Sequence, residues 1–319
     1  RTLNTLSATW NIWDNLNIKE TLGYDFNQTN NRVWWDPRSN DGRSSKGVFQ
    51  RYMMNRSKLN TQTQLTYNKT FAEHHNIDVL LGFETEDYKY DYTYTNGNAG
   101  VSRGASNINS YRMTSYLGRL NYDYAGKYYV SGSFRRDGSS RLSRDSRWGN
   151  FWSVSGSWRL SQEAFMESLS NVITDAKIRA SYGVNGTQPK DYYGHMGVYE
   201  FGYNYNGNGG SSEARFYNPS LKWEKNYATN IGIDLTLFNR LTVSAEWYNR
   251  ETKDLLMDKP ISAAVGVINS SGVANMLVNV GSMRNRGFEL ELKSTNIQNK
   301  DLLWTTSLNI GHNKNKLTK

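Results

Sequence analysis

Apolar and polar residues alternate with a period of two along most of this chain. Leu6, Ala8 and Trp10 alternate with polar neighbours, and the same pattern recurs at residues 127–135, 152–160 and 288–292. Successive side chains of a β-strand point to opposite faces, so this alternation predicts strands with one apolar and one polar face. The chain is therefore predicted to be all-β.

The alternating segments are long for a soluble β-protein. Residues 57–67, 77–94, 111–124, 223–237 and 241–257 all reach or exceed the roughly 9 to 11 residues that a tilted membrane strand needs. Strands of ordinary globular proteins are closer to about 5 to 6 residues. Strand length therefore favours a transmembrane β-barrel.

The links between these segments alternate between short and long. Short links are predicted at residues 14–15, 71–76, 125–126, 239–240 and 296–301, a compact link with one helical turn at 161–174, and long links at 27–47, 96–107, 138–147, 187–221 and 258–281. Turns on one rim and loops on the other are typical of an antiparallel up-and-down barrel. We count about 12 strands in this pattern.

Composition agrees with a barrel wall. Aromatic residues make up 13% of the 319 residues, yet the mean hydropathy is −0.75. Alternation accounts for both values, because only every second residue of a barrel wall faces lipid. Two groups of tyrosines are predicted to form girdles at the membrane interfaces. They are Tyr88, Tyr90, Tyr92 and Tyr94, and Tyr122, Tyr124 and Tyr128.

Several stretches resemble the SusC/RagA family of TonB-dependent outer-membrane transporters, found in Bacteroidota. Residues 119–161 contain the AGKY turn, an arginine-rich loop with RDGSSR and a strand entered through Trp148 and Gly149. KIRASYGVNGTQ at residues 177–188 is similar to another family segment, and residues 218–256 and 279–292 resemble the strands that follow. These stretches extend over about two thirds of the chain.

The resemblance implies a Gram-negative outer-membrane barrel of about 22 strands, of which this chain holds a part. It implies an N-terminal plug, energy supplied by TonB, a SusD-like lipoprotein lid and import of oligosaccharides or peptides. Residues 1–319 are expected to be part of one barrel domain, with the plug, the TonB box and the last strands outside this chain. Neither a cofactor nor a metal is expected.

A basic cluster stands out at the predicted outer rim. Nucleic acid would need such charge together with stacking aromatics, but nearby acidic residues dilute the charge. We favour pairing with acidic loops, or contact with lipid and the phosphates of lipopolysaccharide, and expect no nucleic-acid partner. The cluster comprises Arg135, Arg136, Arg141, Arg144 and Arg147.

Aromatic residues in the predicted long loops are candidate substrate contacts, because rings stack on sugars and on peptide side chains. Packing against neighbouring loops or the lid is an equally good interpretation. The candidates are Trp34 and Trp35 in the first long loop, and Tyr192, Tyr193, Tyr203 and Tyr205 in the longest.

Two other classes of protein remain open at this point. A soluble or surface-attached β-rich protein for glycan binding or adhesion would bury its apolar strand faces against a second sheet. A barrel enzyme would need a cluster of acid and base residues at the rim. The chain has no cysteine, its four histidines have no metal-ligand spacing, and no G-x-S-x-G sequence occurs. We therefore expect no enzyme.

Overall fold

The computed structural model describes residues 1–98, 101–265 and 275–318. These residues are almost entirely β-structure, in strands β1 (Thr2–Trp13), β2 (Leu16–Trp35), β3 (Val48–Phe71), β4 (His75–Asn98), β5 (Val101–Tyr124), β6 (Tyr128–Ser139), β7 (Trp148–Arg159), β8 (Ile173–Thr187), β9 (Val198–Tyr205), β10 (Asn208–Arg215), β11 (Glu224–Leu237), β12 (Leu241–Lys253), β13 (Leu256–Pro260), β14 (Asn275–Asn279), β15 (Ser282–Gln298) and β16 (Leu303–Leu317). The helical segments are α1 (Asn40–Arg43) and the 3₁₀ turns Leu160–Gln162, Ala164–Leu169 and Ala263–Val265. Among the described residues, no helix is long and apolar enough to span a bilayer.

Twelve strands form one continuous antiparallel sheet. Its order is β1-β2-β3-β4-β5-β6-β7-β8-β11-β12-β15-β16, so each strand pairs with the next strand of the same sheet along the chain. Strands β9 and β10 form a separate hairpin in the link between β8 and β11, and β13 and β14 form another between β12 and β15. This arrangement confirms the predicted all-β, up-and-down fold and its twelve strands.

The strand connections define two rims, here called the turn rim and the loop rim. At the turn rim, Ala125 (φ 53°) and Gly126 (φ 66°) adopt the two left-handed conformations of a tight type I′ turn. At the loop rim, two predicted long loops are shorter than expected. Strand β2 continues to Trp35, and β4 and β5 stay paired out to Asn98 and Val101. These strands continue beyond the membrane boundary, where both of their faces are largely polar. Their residues therefore look like loop residues in the sequence.

The sheet is a single layer with two different faces. The outward face carries Leu81, Leu120, Val130, Val154 and Phe288, each about half exposed to solvent in the isolated chain. No second sheet covers this face in the described part of the chain. The inward face carries paired charges. The two packed sheets that a soluble β-rich protein would need are therefore not found in the described residues.

Aromatic rows border the outward face at both rims. Near the turn rim, Tyr128 lies 6.3 Å from Tyr124 and 6.2 Å from Trp158, between ring centroids. Near the loop rim, Tyr116 lies 5.3 Å from Phe83 and 6.2 Å from Trp148. The eight residue steps from Tyr116 to Tyr124 span roughly 27 Å of strand, or about 20 Å of depth at a barrel's tilt. Two aromatic rows thus flank a band close to membrane thickness.

The first predicted tyrosine girdle is wrong, because its residues lie on the inward face of the sheet. Tyr88, Tyr90, Tyr92 and Tyr94 share the parity of Glu84, and β4 pairs with β3 and β5 without any register shift. These tyrosines therefore point inward. The outward residues at that height include Lys89 and Asp91, which shows that the strand has already left the apolar band.

A 3₁₀ segment at the turn rim is held by one carboxylate. Glu163 accepts hydrogen bonds from the Tyr128 hydroxyl (2.6 Å) and from Trp158 Nε1 (3.1 Å). The Tyr128 bond is the main cause that lowers the pKa of Glu163 below its ordinary value. The girdle rings at this rim are therefore oriented by a charged acceptor.

Candidate functional site

The inward face is lined by ion pairs that join neighbouring strands. Arg179 on β8 contacts Asp234 on β11 (Nε to Oδ2, 3.1 Å) and Glu246 on β12. Arg135 on β6 contacts Glu84 on β4 (2.8 Å) and Asp137 on its own strand (2.7 Å). Such pairs fix the wall while leaving a hydrated polar surface, as expected of a barrel interior.

A cavity of about 600 Å³ opens on the inward face toward the turn rim. Its lining is rich in hydroxyl and amide groups with a few charges. It includes Asn76, Asp78, Asn121, Tyr129, Ser131, Ser157, Lys177, Arg179 and Asn230. Within the described ranges, no group of three or more histidine, aspartate or glutamate side chains could hold a metal ion. The chemistry here suits polar contact with another chain segment or with a solute.

Three long links pack together above the loop rim. We call residues 140–147, 188–223, 254–265 and 275–281 the loop platform. Its core consists of Leu142, Leu221 and Trp223 together with Phe151 at the start of β7, and all four are buried. Trp223 Nε1 donates to the Arg147 carbonyl at 2.9 Å, which joins two of the links. The platform thus has a small hydrophobic core of its own, outside the membrane-spanning part of the wall.

One edge of the platform is fixed to the inward tyrosines of the wall. The Arg141 guanidinium lies 4.1 Å from the Tyr111 ring centroid and 4.7 Å from that of Tyr192. Tyr192 stacks on Tyr88 (6.2 Å) and contacts Tyr111 (6.1 Å). Burial is the main cause that raises the pKa of Tyr192, and hydrogen bonding with Tyr88 adds to it. The Tyr193 hydroxyl accepts from the Ser110 amide at 3.3 Å.

The predicted loop aromatics therefore do not form one group. Tyr192 and Tyr193 connect the platform to β5, which agrees with the packing interpretation. Trp34 and Trp35 are not in a loop, because they end β2 and pair with Phe49 and Val48. Tyr203 and Tyr205 lie on β9 of the separate hairpin, where the Tyr203 hydroxyl donates to Glu200 at 3.2 Å. Substrate contact stays a prediction for all six.

The predicted basic cluster does not form one patch, since neighbours on a strand face opposite ways. Arg135 points inward to its carboxylates, and Arg136 points outward over the Trp148 ring at 5.2 Å. Arg141 stacks on tyrosines, and Arg144 is exposed. The Arg147 carbonyl accepts from Trp223. Only Arg136 of these five follows the strand onto the lipid-facing side.

Sequence reasoning missed the platform core and the stacking of Arg141. The inward direction of Tyr88 was available from its parity with Glu84, and only the position of the membrane boundary obscured it. The buried His195, whose Nδ1 lies 3.1 Å from the Arg141 carbonyl, gave no signal in the sequence. It braces the platform.

A twelve-stranded meander with aromatic rims, a polar interior and elaborated links on one side defines part of an outer-membrane barrel. The family described as TonB dependent receptor-like, beta-barrel, matches residues 1–317. The chain belongs to this family.

The relatives are receptors from Bacteroidota. TonB-dependent receptor P39 of Formosa agariphila is 32% identical over 325 residues, which cover 95% of this chain and 30% of that receptor. TonB-dependent receptor SusC of Bacteroides thetaiotaomicron is 33% identical over 249 residues, covering 75% of this chain and 24% of SusC. The structure of the RagAB peptide transporter superposes with a TM-score of 0.90 at 26% identity, over 99% of this chain and 36% of that one.

The comparisons confirm the resemblance to the SusC/RagA type and the location in the outer membrane. The chain spans about a third of the length of these relatives. The family comprises receptors and transporters and is not a class of enzymes, in agreement with the sequence-based expectation. Because outer-membrane barrels have short periplasmic turns and longer extracellular loops, the turn rim is periplasmic and the loop rim extracellular.

Proposed function

We propose that the whole protein imports oligosaccharides or peptides across the outer membrane in a TonB-dependent manner. The observation that carries this proposal is the superposition on the RagAB peptide transporter over 99% of the chain. The polar inward face is consistent with passage of a hydrated solute. In this proposal the chain supplies part of the barrel wall, and a plug and a TonB box lie elsewhere in the protein.

We further propose that a SusD-like lipoprotein covers the extracellular side. The loop platform supports this idea, since its packed core gives a partner a fixed surface to rest on. Several aromatic side chains stay exposed on that surface, including Tyr199, Phe201 and Tyr217. Exposed apolar groups in a packed extracellular region are typical of a protein contact.

Deletion of the TonB box in the full-length gene tests import. The substrate is first identified by offering labelled peptide and oligosaccharide mixtures separately to the intact strain. Cells with the deletion should then lose uptake of that substrate. The matched control is the same strain complemented with the intact gene. Unchanged uptake of both mixtures after the deletion would refute the proposal. The nature of the mixture that is depleted by the intact strain decides between the two substrate classes.

Co-purification tests the lid. An affinity-tagged full-length receptor should bring down a surface lipoprotein in roughly equal amount. Substituting Phe201→Ser, at a residue 83% exposed on β9, should weaken that recovery if the hairpin lies in the contact. Recovery of the receptor alone from intact membranes would contradict the proposal.

A further inference from the structure

Arg136 lies on the lipid-facing side of the wall at the extracellular rim. It pairs across the sheet with Tyr116 on β5 and Asn150 on β7, both outward positions. Its guanidinium stacks over Trp148 at 5.2 Å, and no carboxylate pairs with it within the described part of the chain. Every other arginine of the 135–147 cluster is inward or in the platform. Arg136 is therefore a cation for which the described residues supply no counter-charge.

The Trp148 ring, on which this guanidinium stacks, is itself packed closely over Gly138. A Cβ atom at Gly138 would lie 2.8 Å from the Trp148 ring, so only glycine lets the ring lie over that strand. The Tyr116 ring also contacts the Trp148 ring, with 6.2 Å between their centroids. The cation is thus presented at a fixed position in the aromatic girdle, at the height where lipid headgroups lie.

Below Arg136 the outward face contains an apolar groove of about 460 Å³. Val130, Val154, Tyr182 and Ile231 form its sides, and Gly156 and Ala180 lie in the same outward register. Phe134 and Trp152, a cross-strand pair, line the path between the groove and Arg136. Each of these apolar side walls is about half exposed and has no protein cover in the described residues.

The spacing of the two features matches one lipid molecule. Val154, at the upper end of the groove, pairs with Gly132, which is four residues below Arg136 on β6, or roughly 14 Å of strand and about 10 Å of depth at a barrel's tilt. This depth is about half of the roughly 20 Å between the two aromatic rows, so an acyl chain of the outer leaflet reaches the upper end of the groove. We propose that Arg136 binds the phosphate of an outer-leaflet lipid whose acyl chain occupies the groove. This is the chemistry of a phosphorylated acyl lipid such as lipid A.

The proposal rests on the outer-membrane location and is independent of the transported substrate. An arginine suits it because a guanidinium can form two parallel hydrogen bonds with a phosphate group. Asn150 and the Tyr116 hydroxyl are placed to add neutral hydrogen bonds. The site would hold one lipid against the wall, in contrast to the exchanging lipids around it.

Native mass spectrometry of the full-length receptor tests this site, with monophosphoryl lipid A and a phosphate-free analogue as probes. Wild-type receptor should bind the phosphorylated probe about tenfold more tightly than the analogue. Arg136→Gln should abolish that preference, and Gly156→Leu should weaken both probes by filling the groove. Arg144→Gln, at an exposed arginine in the platform, is the matched control and should leave binding within about twofold.

Two results would overturn the proposal. One is an Arg136→Gln variant that keeps the preference for the phosphorylated probe. The other is displacement of the lipid by millimolar inorganic phosphate, which would show a free-anion site without an acyl contribution. If Gly156→Leu fails to assemble, the phosphate preference of Arg136→Gln decides alone. Uptake is measured separately, so loss of lipid binding with normal uptake leaves the import proposal standing.

Discussion

The barrel wall and the loop platform place their apolar side chains in different surroundings. In the wall, Leu120 and Val154 are 49% and 47% exposed in the isolated chain, because their partner is lipid. In the platform, Leu142 and Leu221 are 1% and 0% exposed, because their partners are protein. One chain thus uses two solvents, the bilayer for the wall and water for the platform.

This difference teaches where stability comes from in each region. In the described residues the wall has no hydrophobic core of its own, and it depends on its hydrogen-bonded ladder, on inward ion pairs and on the surrounding membrane. The platform depends on the hydrophobic effect, as a small soluble domain does. The same substitution should therefore have different consequences in the two regions.

Truncation of the platform core should have the largest effect. Leu221→Ala removes a fully buried side chain and should destabilise the platform by about 4 kcal/mol. Amide hydrogen exchange of residues 188–223 should rise strongly, while exchange in β11 and β12 stays unchanged. The measurement is hydrogen-exchange mass spectrometry of the full-length receptor in detergent.

Leu120→Ala is the matched control for this substitution, since it removes the same atoms from the outward face. It should leave platform exchange unaltered, because lipid or detergent fills the space. Equal loosening of the platform by both variants would mean that platform and wall form one cooperative unit, and the contrast between the regions would be wrong.

A lysine placed on the outward face of a wall strand should be much more destabilising than a lysine on the inward face of the same strand. Val154 points outward near the middle of the apolar band, and Ser155 points inward. Val154→Lys should cost about 3 kcal/mol, because an ammonium group near the bilayer midplane is poorly solvated. Ser155→Lys should cost less than about 1 kcal/mol in a hydrated interior. Urea unfolding in lipid vesicles measures both, and similar losses would contradict the assigned faces.

The wall was predictable from the sequence, and the platform was not. Period-two alternation in segments such as 127–135 is local information, and it sufficed for the number and order of the strands, although the face of the tyrosines at 88–94 was predicted wrongly. Leu142 and Leu221 lie 79 positions apart in irregular links, so no periodicity marks them as partners. Trp34 and Trp35 were misplaced because alternation does not show where a strand leaves the membrane.

Inward ion pairs should contribute less than core or lipid contacts. Arg179→Met leaves Asp234 and Glu246 on the inward face without their shared cation. Since these side chains are about one quarter to one third exposed, the loss should be about 1.5 kcal/mol, between surface and buried pairs. Thermal unfolding of the full-length receptor measures it. Arg240→Met, in the exposed turn after β11, should be neutral. A loss above about 4 kcal/mol would place this network in a dry interior.

The smallest expected effect lies at the junction of the two regions. Arg141→Lys keeps the charge but loses the flat guanidinium that stacks on Tyr111 and Tyr192, and should cost about 1 kcal/mol. Hydrogen exchange around Tyr192 should quicken about fivefold, with residues near Leu221 unaffected. Arg144→Lys, at an exposed position in the same link, should change neither. If Arg141→Lys loosens the whole platform instead, then the stacked arginine, and not the apolar core, holds the platform on the wall.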